Sequence, residues 1–225
     1  MSRRKVEGEI ALGKVYINGA KAKLGAFVEN GDKLHWNEKN YVVNITQPKL
    51  EIICYNKPIG EVCSKFDTNS RPLVFDNLPK CKEGRWVSVG RLDINSEGLL
   101  LFCNDGDIAN KMMHPSANWL RVYKVRVFGK VEDKQIKRAC QGINIDGDMC
   151  KFNSCQLLTE ETSGMNKWYV VSVKSGKFRM VRKLWEEIGG VVNRLIRVSY
   201  GPINLDNTQK TGSIKRLTHE EMKNI

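Results

Sequence analysis

Residues 86–106, WVSVGRLDINSEGLLLFCNDG, contain the pattern from which the fold is predicted. From Trp86 apolar and polar side chains alternate, as in a strand that buries one face. GLLLFCN (98–104) is a continuous apolar run, which is typical of a strand that is covered on both faces. Asp93 lies in the polar connection between these two strands. The pattern therefore predicts a carboxylate that is held close to a sheet and faces a cleft.

The same connection has other interpretations. An Asx turn, in which Asp93 or Asn95 hydrogen-bonds its own backbone, is an alternative that these residues alone leave open. DINSEG also resembles the first half of an EF-hand loop, but the twelfth position is Asn104 rather than Glu, so we exclude calcium. A glycosidase pair would need a second carboxylate, for which Glu97 and Asp105 are the candidates. We expect Glu97 to face solvent and Asp105 to cap the next helix.

Strands and a few helices alternate along the rest of the chain. Strands are predicted in LEIICYNKP, RVYKVRVFGKV, KWYVVSVKSG and VNRLIRVSYGPINL, and helices in DGDIANKMMHP, EDKQIKRACQGI and FRMVRKLWEEIGG. The last helix has an apolar face and ends at Gly189-Gly190; that face comprises Met180, Leu184, Trp185 and Ile188. These elements predict an α+β fold with a large mixed or antiparallel sheet.

The first 45 residues form a separate small unit in this interpretation. A short helix ends near Gly13, and two short extended runs flank Asn18-Gly19, which is a strong hairpin signal. DKLHW is one more strand. Pro48 makes residues 46–49 a linker, and residues 50–225 form the main domain.

The charge of the chain indicates a polyanionic partner. The 225 residues include 37 Lys and Arg and 25 Asp and Glu, which gives a formal net charge of +12. Basic residues cluster in 121–138 and 174–197, although such runs are also common on solvated faces. RNA, DNA and acidic membrane surfaces remain possible partners on charge alone. The aromatic residues interleaved with bases in RVYKVRVF favour RNA, because unstacked bases can lie on aromatic rings.

Several classes of protein are excluded by composition and motifs. No apolar run approaches the roughly 18 residues that cross a bilayer, and MSRRKVEGEI lacks the apolar core of a secretory signal, so we expect a soluble cytoplasmic protein. The seven cysteines form no C-x-x-C pair and are expected to be reduced thiols. Walker A, G-x-G-x-x-G, G-x-S-x-G and H-E-x-x-H motifs are absent from the sequence. We expect no metal and no nucleotide cofactor.

The stretch GRLDINSEGLLLFCNDGDIANKMMHPS (90–116) closely resembles the catalytic motif of the RsuA/RluB branch of the pseudouridine synthases. The resemblance covers nearly all of residues 50–225, in order, through YNKPIGEVCSKFD, RPLVFDNLP, RVYKVRVFGKV, GMNKWYVVSV, VRKLWEEIGGVVNRLIRVSYGPINL and GSIKRLTHEEM. Within that branch, GMNKWYVVSV and RKLWEEIG are most similar to the B type that acts on the large ribosomal subunit. Residues 1–45 resemble an S4 RNA-binding domain without its first helix.

This resemblance implies that the protein isomerises uridine to pseudouridine in RNA, so that a C5–C1′ bond replaces the N1–C1′ bond. Nothing is added or removed, so no cofactor or metal is required. Asp93 occupies the position of the essential carboxylate, which meets electron deficiency at C1′ as nucleophile or electrostatic partner. Three further positions match: Arg182 the charge partner of the aspartate, Tyr123 the tyrosine that stacks on the flipped base, and Leu195 an apolar pocket residue.

The resemblance also implies contacts with the RNA. Six residues are expected to bind the substrate, the last three through phosphates: Arg91, Leu92, Arg71, Lys124, Arg126 and Lys177. SGKFRMV (175–181) departs from the family pattern, with Lys177 for Arg and Met180 for a polar residue. We expect a monomer that modifies large-subunit rRNA. The same chemistry on small-subunit rRNA or tRNA, and a non-catalytic RNA-binding module of ribosome assembly, are the alternatives.

Overall fold

The computed structural model describes residues 3–45, 49–223 and 225, and the chain divides into two compact units at residues 48 and 49. Of the predicted linker 46–49, residues 46–48 lie outside the described residues. None of the described helices is both long enough and apolar enough to cross a membrane. The two units are described separately below.

The first unit has one helix and a four-stranded antiparallel sheet in the order β2-β1-β3-β4. Its elements are α1 (Arg3–Ala11), β1 (Val15–Ile17), β2 (Ala20–Lys21), β3 (Lys33–Trp36) and β4 (Lys39–Val42). The hairpin predicted at Asn18-Gly19 is confirmed, because both residues have positive φ, 50° and 83°, as a tight turn between β1 and β2 requires. The Asn18 side chain accepts from the Lys33 amide at 2.9 Å and so ties this turn to β3.

The second unit contains the remaining elements. They are β5 (Ile52–Lys57), β6 (Val87–Val89), β7 (Glu97–Cys103), α2 (Gly106–Met113), β8 (Arg121–Phe128), α3 (Asp133–Gln141), β9 (Ile143–Ile145), β10 (Asp148–Cys150), β11 (Ser154–Ser163), β12 (Asn166–Val173), α4 (Met180–Glu187), β13 (Val191–Tyr200), β14 (Ile203–Asn204), β15 (Ile214–Arg216) and α5 (His219–Met222). The main sheet runs β11-β12-β8-β13-β7-β5-β15, with β14 beside β13 and β6 beside β7. The predicted α+β fold with a large mixed sheet is confirmed.

Strands β5 and β7 are neighbours in the main sheet and are buried along their whole length. Alternate side chains of each strand enter two apolar clusters on opposite faces of the sheet. Leu100 and Phe102 belong to one cluster, and Leu99 and Leu101 to the other. This double burial is the reason that the sequence of β7 is a continuous apolar run rather than an alternating one.

Helix α4 covers one face of the sheet. The apolar residues predicted to share one side of this helix are all buried. Trp185 is completely buried and packs on Tyr169 and Phe152, with ring centroids 4.6 Å and 5.6 Å away. Asp105 caps α2 by accepting from the amides of Asp107 and Ile108, as the sequence predicts.

The contact between β7 and β13 is parallel and unusually close, and it depends on Gly98. Gly98 has φ of 95°, and a Cβ built there would lie 2.3 Å from the Arg197 carbonyl oxygen. Any other residue would have an unfavourable positive φ, and its Cβ would clash with the backbone of the neighbouring strand. The two halves of the sheet therefore meet at a position that only glycine can occupy.

We predict that Gly98→Ala lowers the free energy of unfolding by roughly 2–4 kcal/mol, because it adds a positive-φ penalty to a backbone clash. Urea denaturation measures this loss. Gly106→Ala is the matched control, since a Cβ there has no heavy atom within 4 Å. Equal stability of Gly98→Ala and the wild type would contradict the close approach of β7 and β13.

Candidate active site

Asp93 begins a tight turn between β6 and β7, and the backbone of this turn is held from three directions. The turn is closed by the Ser96 amide, which donates to the Asp93 carbonyl at 3.0 Å. Each of the next three carbonyl groups accepts a hydrogen bond from a different part of the unit. These bonds run to Ile94 O from Gly60 N (2.9 Å), to Asn95 O from Arg182 Nη2 (2.7 Å) and to Ser96 O from Lys57 Nζ (2.9 Å). The turn is closed by backbone groups, so an Asx turn is not what shapes it.

Two of the three donors are buried cations. Lys57 is completely buried and also donates to the Pro58 carbonyl at 2.8 Å, while Arg182 is 6% exposed and also donates to the Val192 carbonyl at 2.9 Å. Burial is the largest influence on both groups and lowers the pKa of each below its ordinary value. The Asp93 carboxylate acts in the opposite direction on both pKa values. Asp93 therefore lies within electrostatic reach of two positive charges.

Arg182 is expected to be the charge partner of Asp93, and its charge lies within electrostatic reach of that carboxylate. The contacts described for its guanidinium group do not include a salt bridge with Asp93; Nη1 and Nη2 are bonded to carbonyl oxygens, and Nε is buried without a partner. The planar fork spans from the start of β13 to the turn, a geometry that a guanidinium group provides and an ammonium group cannot. Arg182 therefore acts on Asp93 through the position of the turn and through its charge.

The turn opens on a cleft of about 1050 Å³. Seven of the ten residues predicted for the site line this cleft: Asp93, Arg91, Leu92, Tyr123, Leu195, Arg71 and Lys177. Tyr123 on β8 lies directly opposite Arg197 on β13, and Leu195 lies opposite Val125. These side chains share one face of the sheet because alternate residues of a strand point to the same side.

Lys124 and Arg126 do not line the cleft. They alternate with Tyr123 and Val125 along β8, so their side chains lie on the other face of the sheet. The Lys124 ammonium group is placed over the Trp168 ring, 5.0 Å from its centroid. Lys124 and Arg126 therefore do not share the cleft with Asp93, because alternate residues of a strand point to opposite faces of the sheet; their contacts with RNA phosphates stay a prediction.

Glu97 is also placed differently from the prediction. It is 8% exposed and forms a bidentate ion pair with Arg194, at 2.7 Å and 3.0 Å. Glu97 is the first residue of β7, and its parallel partner on β13 is Ile196, so Arg194 on the same strand reaches it. Glu97 is thus part of the sheet and does not form a carboxylate pair with Asp93.

The cleft is strongly basic. Among the described residues that line it, Asp93 alone is acidic, and six are basic: Arg71, Arg91, Arg121, Lys177, Arg179 and Arg197. Arg121, Arg179 and Arg197 belong to the charged runs of the sequence, which alone indicate no role for them. Arg197 lies two residues after Leu195 on the same strand, and this spacing could have placed it on the same face. The electrostatic character of the cleft fits a polyanion.

An aromatic ring organises two of these arginines. The guanidinium groups of Arg121 and Arg197 lie over the Tyr200 ring, 4.8 Å and 5.0 Å from its centroid. Arg121 Nη2 also donates to the Tyr200 hydroxyl at 3.1 Å, and Arg197 Nε donates to the Leu99 carbonyl at 2.7 Å. Both cations are therefore held in fixed positions at the wall of the cleft.

Two basic residues of the rim are held by aspartates. Arg71 pairs with Asp67, with Nη2 and Oδ1 2.5 Å apart, and this contact lowers the pKa of Asp67 to about 2. Lys177 Nζ lies 2.5 Å from Asp148 Oδ1 on β10. Among the side chains that the structure describes, no group of three or more His, Cys, Asp or Glu converges as a metal site would require.

Comparisons with known proteins give one consistent family. The family model described as RNA pseudouridylate synthase matches residues 51–187. A protein of Yersinia pestis named ribosomal large subunit pseudouridine synthase B is 42% identical over 207 residues, which cover 91% of this chain and 64% of that protein. A Buchnera aphidicola protein of the same name is 40% identical over 226 residues and is covered to 90%. A crystal structure of a pseudouridylate synthase has the same fold, with a TM-score of 0.69 at 22% identity and coverage of 100% of this chain and 94% of that one.

We predict that Lys57→Met lowers the free energy of unfolding by roughly 2–4 kcal/mol at pH 7, because two buried carbonyl groups lose their donor. The pKa of Lys57 is lowered in the folded protein, which means that the folded protein binds the Lys57 proton less tightly than the unfolded chain does. Wild-type stability should therefore gain from Lys57 as the pH rises towards 10.5, its ordinary pKa, and the variant should lack that gain. Urea titrations at pH 7 and 9.5 measure both effects, with exposed Lys210→Met as the control. Unchanged stability at pH 7 would contradict the role of Lys57 in holding the turn.

Proposed function

The chain belongs to the RNA pseudouridylate synthase family, and on that premise we propose that it isomerises a specific uridine to pseudouridine in large-subunit ribosomal RNA. One observation of the site carries the proposal: among the described residues that line the cleft, Asp93 is the single acidic one, it stands on a hydrogen-bonded turn, and six others are basic. Polyanion binding requires the basic lining, and chemistry at a sugar carbon requires the carboxylate. The names of the relatives support rRNA of the large subunit as the substrate.

In this proposal Asp93 meets the positive charge that develops at C1′ when the N1–C1′ bond breaks. The uracil then turns within the cleft, C5 bonds to C1′, C5 loses its proton and N1 gains one. The product has the same atoms as the substrate, so the reaction consumes no co-substrate, and we propose that it proceeds without a cofactor. The carboxylate serves either as a nucleophile or as an electrostatic partner.

Tyr123 and Leu195 are proposed to enclose the flipped base. Both are buried, at 8% and 5% exposure, and they lie on neighbouring strands at the wall of the cleft. A tyrosine ring offers a surface for stacking and a hydroxyl group for proton transfer, and leucine beside it on the same wall excludes water. Leu92, 8% exposed and next to Asp93, extends this apolar surface. Base flipping costs a few kcal/mol, which contacts of this kind repay.

Arg182 and Lys57 are proposed as positioning residues. Both donate to carbonyl groups of the turn, so they determine where the Asp93 carboxylate stands relative to the sugar. Their positive charges also favour a negative group in the cleft. Arg71, Arg91 and Lys177 line the cleft and are proposed to contact RNA phosphates.

Residues 1–45 are proposed to be a partial S4-like RNA-binding domain, 46–49 a linker and 50–225 the catalytic domain. The first unit supports this interpretation by its separate sheet and by its 8 basic and 5 acidic residues. An rRNA substrate and seven cysteines without a disulfide support the cytoplasm as the place of action.

We predict that Asp93→Asn lowers the rate of pseudouridine formation at least about 1000-fold, because the ionised carboxylate is lost while the turn is kept. RNA affinity should stay within about twofold of the wild type, since phosphate contacts come from other residues. Unmodified large- and small-subunit transcripts are incubated with each protein, and pseudouridine is located by carbodiimide labelling and reverse transcription. Asp107→Asn, on the exposed first turn of α2, is the matched control.

One Asp93-dependent site in the large-subunit transcript supports the proposal in full. A site in the small-subunit transcript, or in tRNA added separately, would support the proposed reaction and contradict large-subunit rRNA as the substrate. No pseudouridine in any of these RNAs, together with tight binding, would favour a non-catalytic RNA-binding role. Equal loss of binding and turnover in Asp93→Asn would show that the aspartate is structural.

A further inference from the structure

We propose that Phe178 is a stacking surface for a nucleobase of the RNA at the mouth of the cleft; this inference rests on the proposed function. Phe178 lies in the segment between β12 and α4 and lines the cleft that contains Asp93. Its side chain is 72% exposed. A phenyl ring in this position presents an apolar face to the space that the substrate would occupy.

Hydrogen bonds fix the backbone on both sides of Phe178, so the ring is exposed on an ordered segment. Both backbone groups of Lys174 are hydrogen-bonded: its amide donates to Asn153 Oδ1 at 3.0 Å, and its carbonyl accepts from Arg121. The Met180 amide donates to the Lys177 carbonyl at 3.2 Å. Arg179 has a φ of 52°, a left-handed backbone conformation that residues other than glycine seldom adopt. Strain of this kind is typical of functional sites.

The charges around the ring favour a nucleic acid. Lys177 and Arg179 flank Phe178 in the sequence and line the same cleft, and the Lys183 ammonium group lies 5.7 Å from the centre of the ring. The two lysines are paired with aspartates of the β9–β10 hairpin: Lys177 with Asp148 and Lys183 with Asp146. These pairs hold the two ammonium groups in place near the hairpin. An aromatic face bordered by oriented cations suits a base and its phosphates.

RNA is the occupant that these observations favour. A base has a π-face of the size of the phenyl ring, and its phosphates match the six basic residues of the cleft. A uridine that reaches Asp93 leaves its neighbours unstacked, and Phe178 at the mouth of the cleft can replace the lost stacking for one of them. Phe178 is therefore proposed to bind a nucleotide next to the target and not the target itself.

The test measures RNA affinity without turnover. Variants of Phe178 are made in the Asp93→Asn protein, and their Kd for an unmodified large-subunit rRNA transcript is measured at several salt concentrations. We expect Phe178→Ala and Phe178→Leu to weaken binding about 5- to 100-fold, and Phe178→Trp to stay within about twofold of the parent. The dependence of Kd on salt should not change, because no phosphate contact is removed.

Phe66→Ala is the matched control, because Phe66 is 76% exposed in the same unit and does not line the cleft. Circular dichroism and thermal melting exclude variants that fail to fold. Unchanged affinity of Phe178→Ala, or wild-type affinity of Phe178→Leu, would overturn stacking, and a changed salt dependence would assign Phe178 to the phosphate contacts instead. Conversion of uridine by the wild type, measured in parallel, tells a failure of this inference from a failure of the proposed function.

Discussion

Two buried cations and one backbone amide hold the turn that presents Asp93, and much of the second unit serves to bring these donors together. Lys57 comes from β5, Arg182 from α4, and Gly60 from the segment after β5. A buried ammonium or guanidinium group is costly unless its hydrogens are bonded, so each cation is tied to the carbonyl groups that it satisfies. The position of one reactive carboxylate is thus linked to the packing of the whole sheet.

The sheet adds the second constraint. Because β7 and β13 run parallel and in close contact at Gly98, the strand that follows the Asp93 turn lies directly beside the strand that carries Leu195 and Arg197. Strand β8 on the other side of β13 brings Tyr123 opposite Arg197. The acid, the aromatic ring and the basic wall of the cleft therefore come from neighbouring strands of one rigid surface, which suits a reaction that depends on placement.

The sequence predicted those parts of the fold that depend on local pattern. The apolar run of β7, the cap at Asp105 and the apolar side of α4 were all found in this way. Strands β9 and β10 were not predicted, although Asp146-Gly147 is a dipeptide that favours such hairpins. At the site, seven of the ten residues predicted from the family resemblance, Asp93 among them, line the cleft. The resemblance could not predict that Glu97 is buried, because its partner Arg194 is 97 residues away in the sequence.

The pairing of β5 with β15 has a consequence for how the protein is made. Asn56 at the end of β5 is bonded to Gln209, 153 residues later, and Ile53 is opposite Arg216. Strand β5, which carries Lys57, therefore keeps one edge open until β15 has left the ribosome. Contacts of such long sequence separation slow folding and leave an unpaired strand edge exposed during synthesis. Nascent chains of this protein should accordingly require protection from aggregation until translation is almost complete.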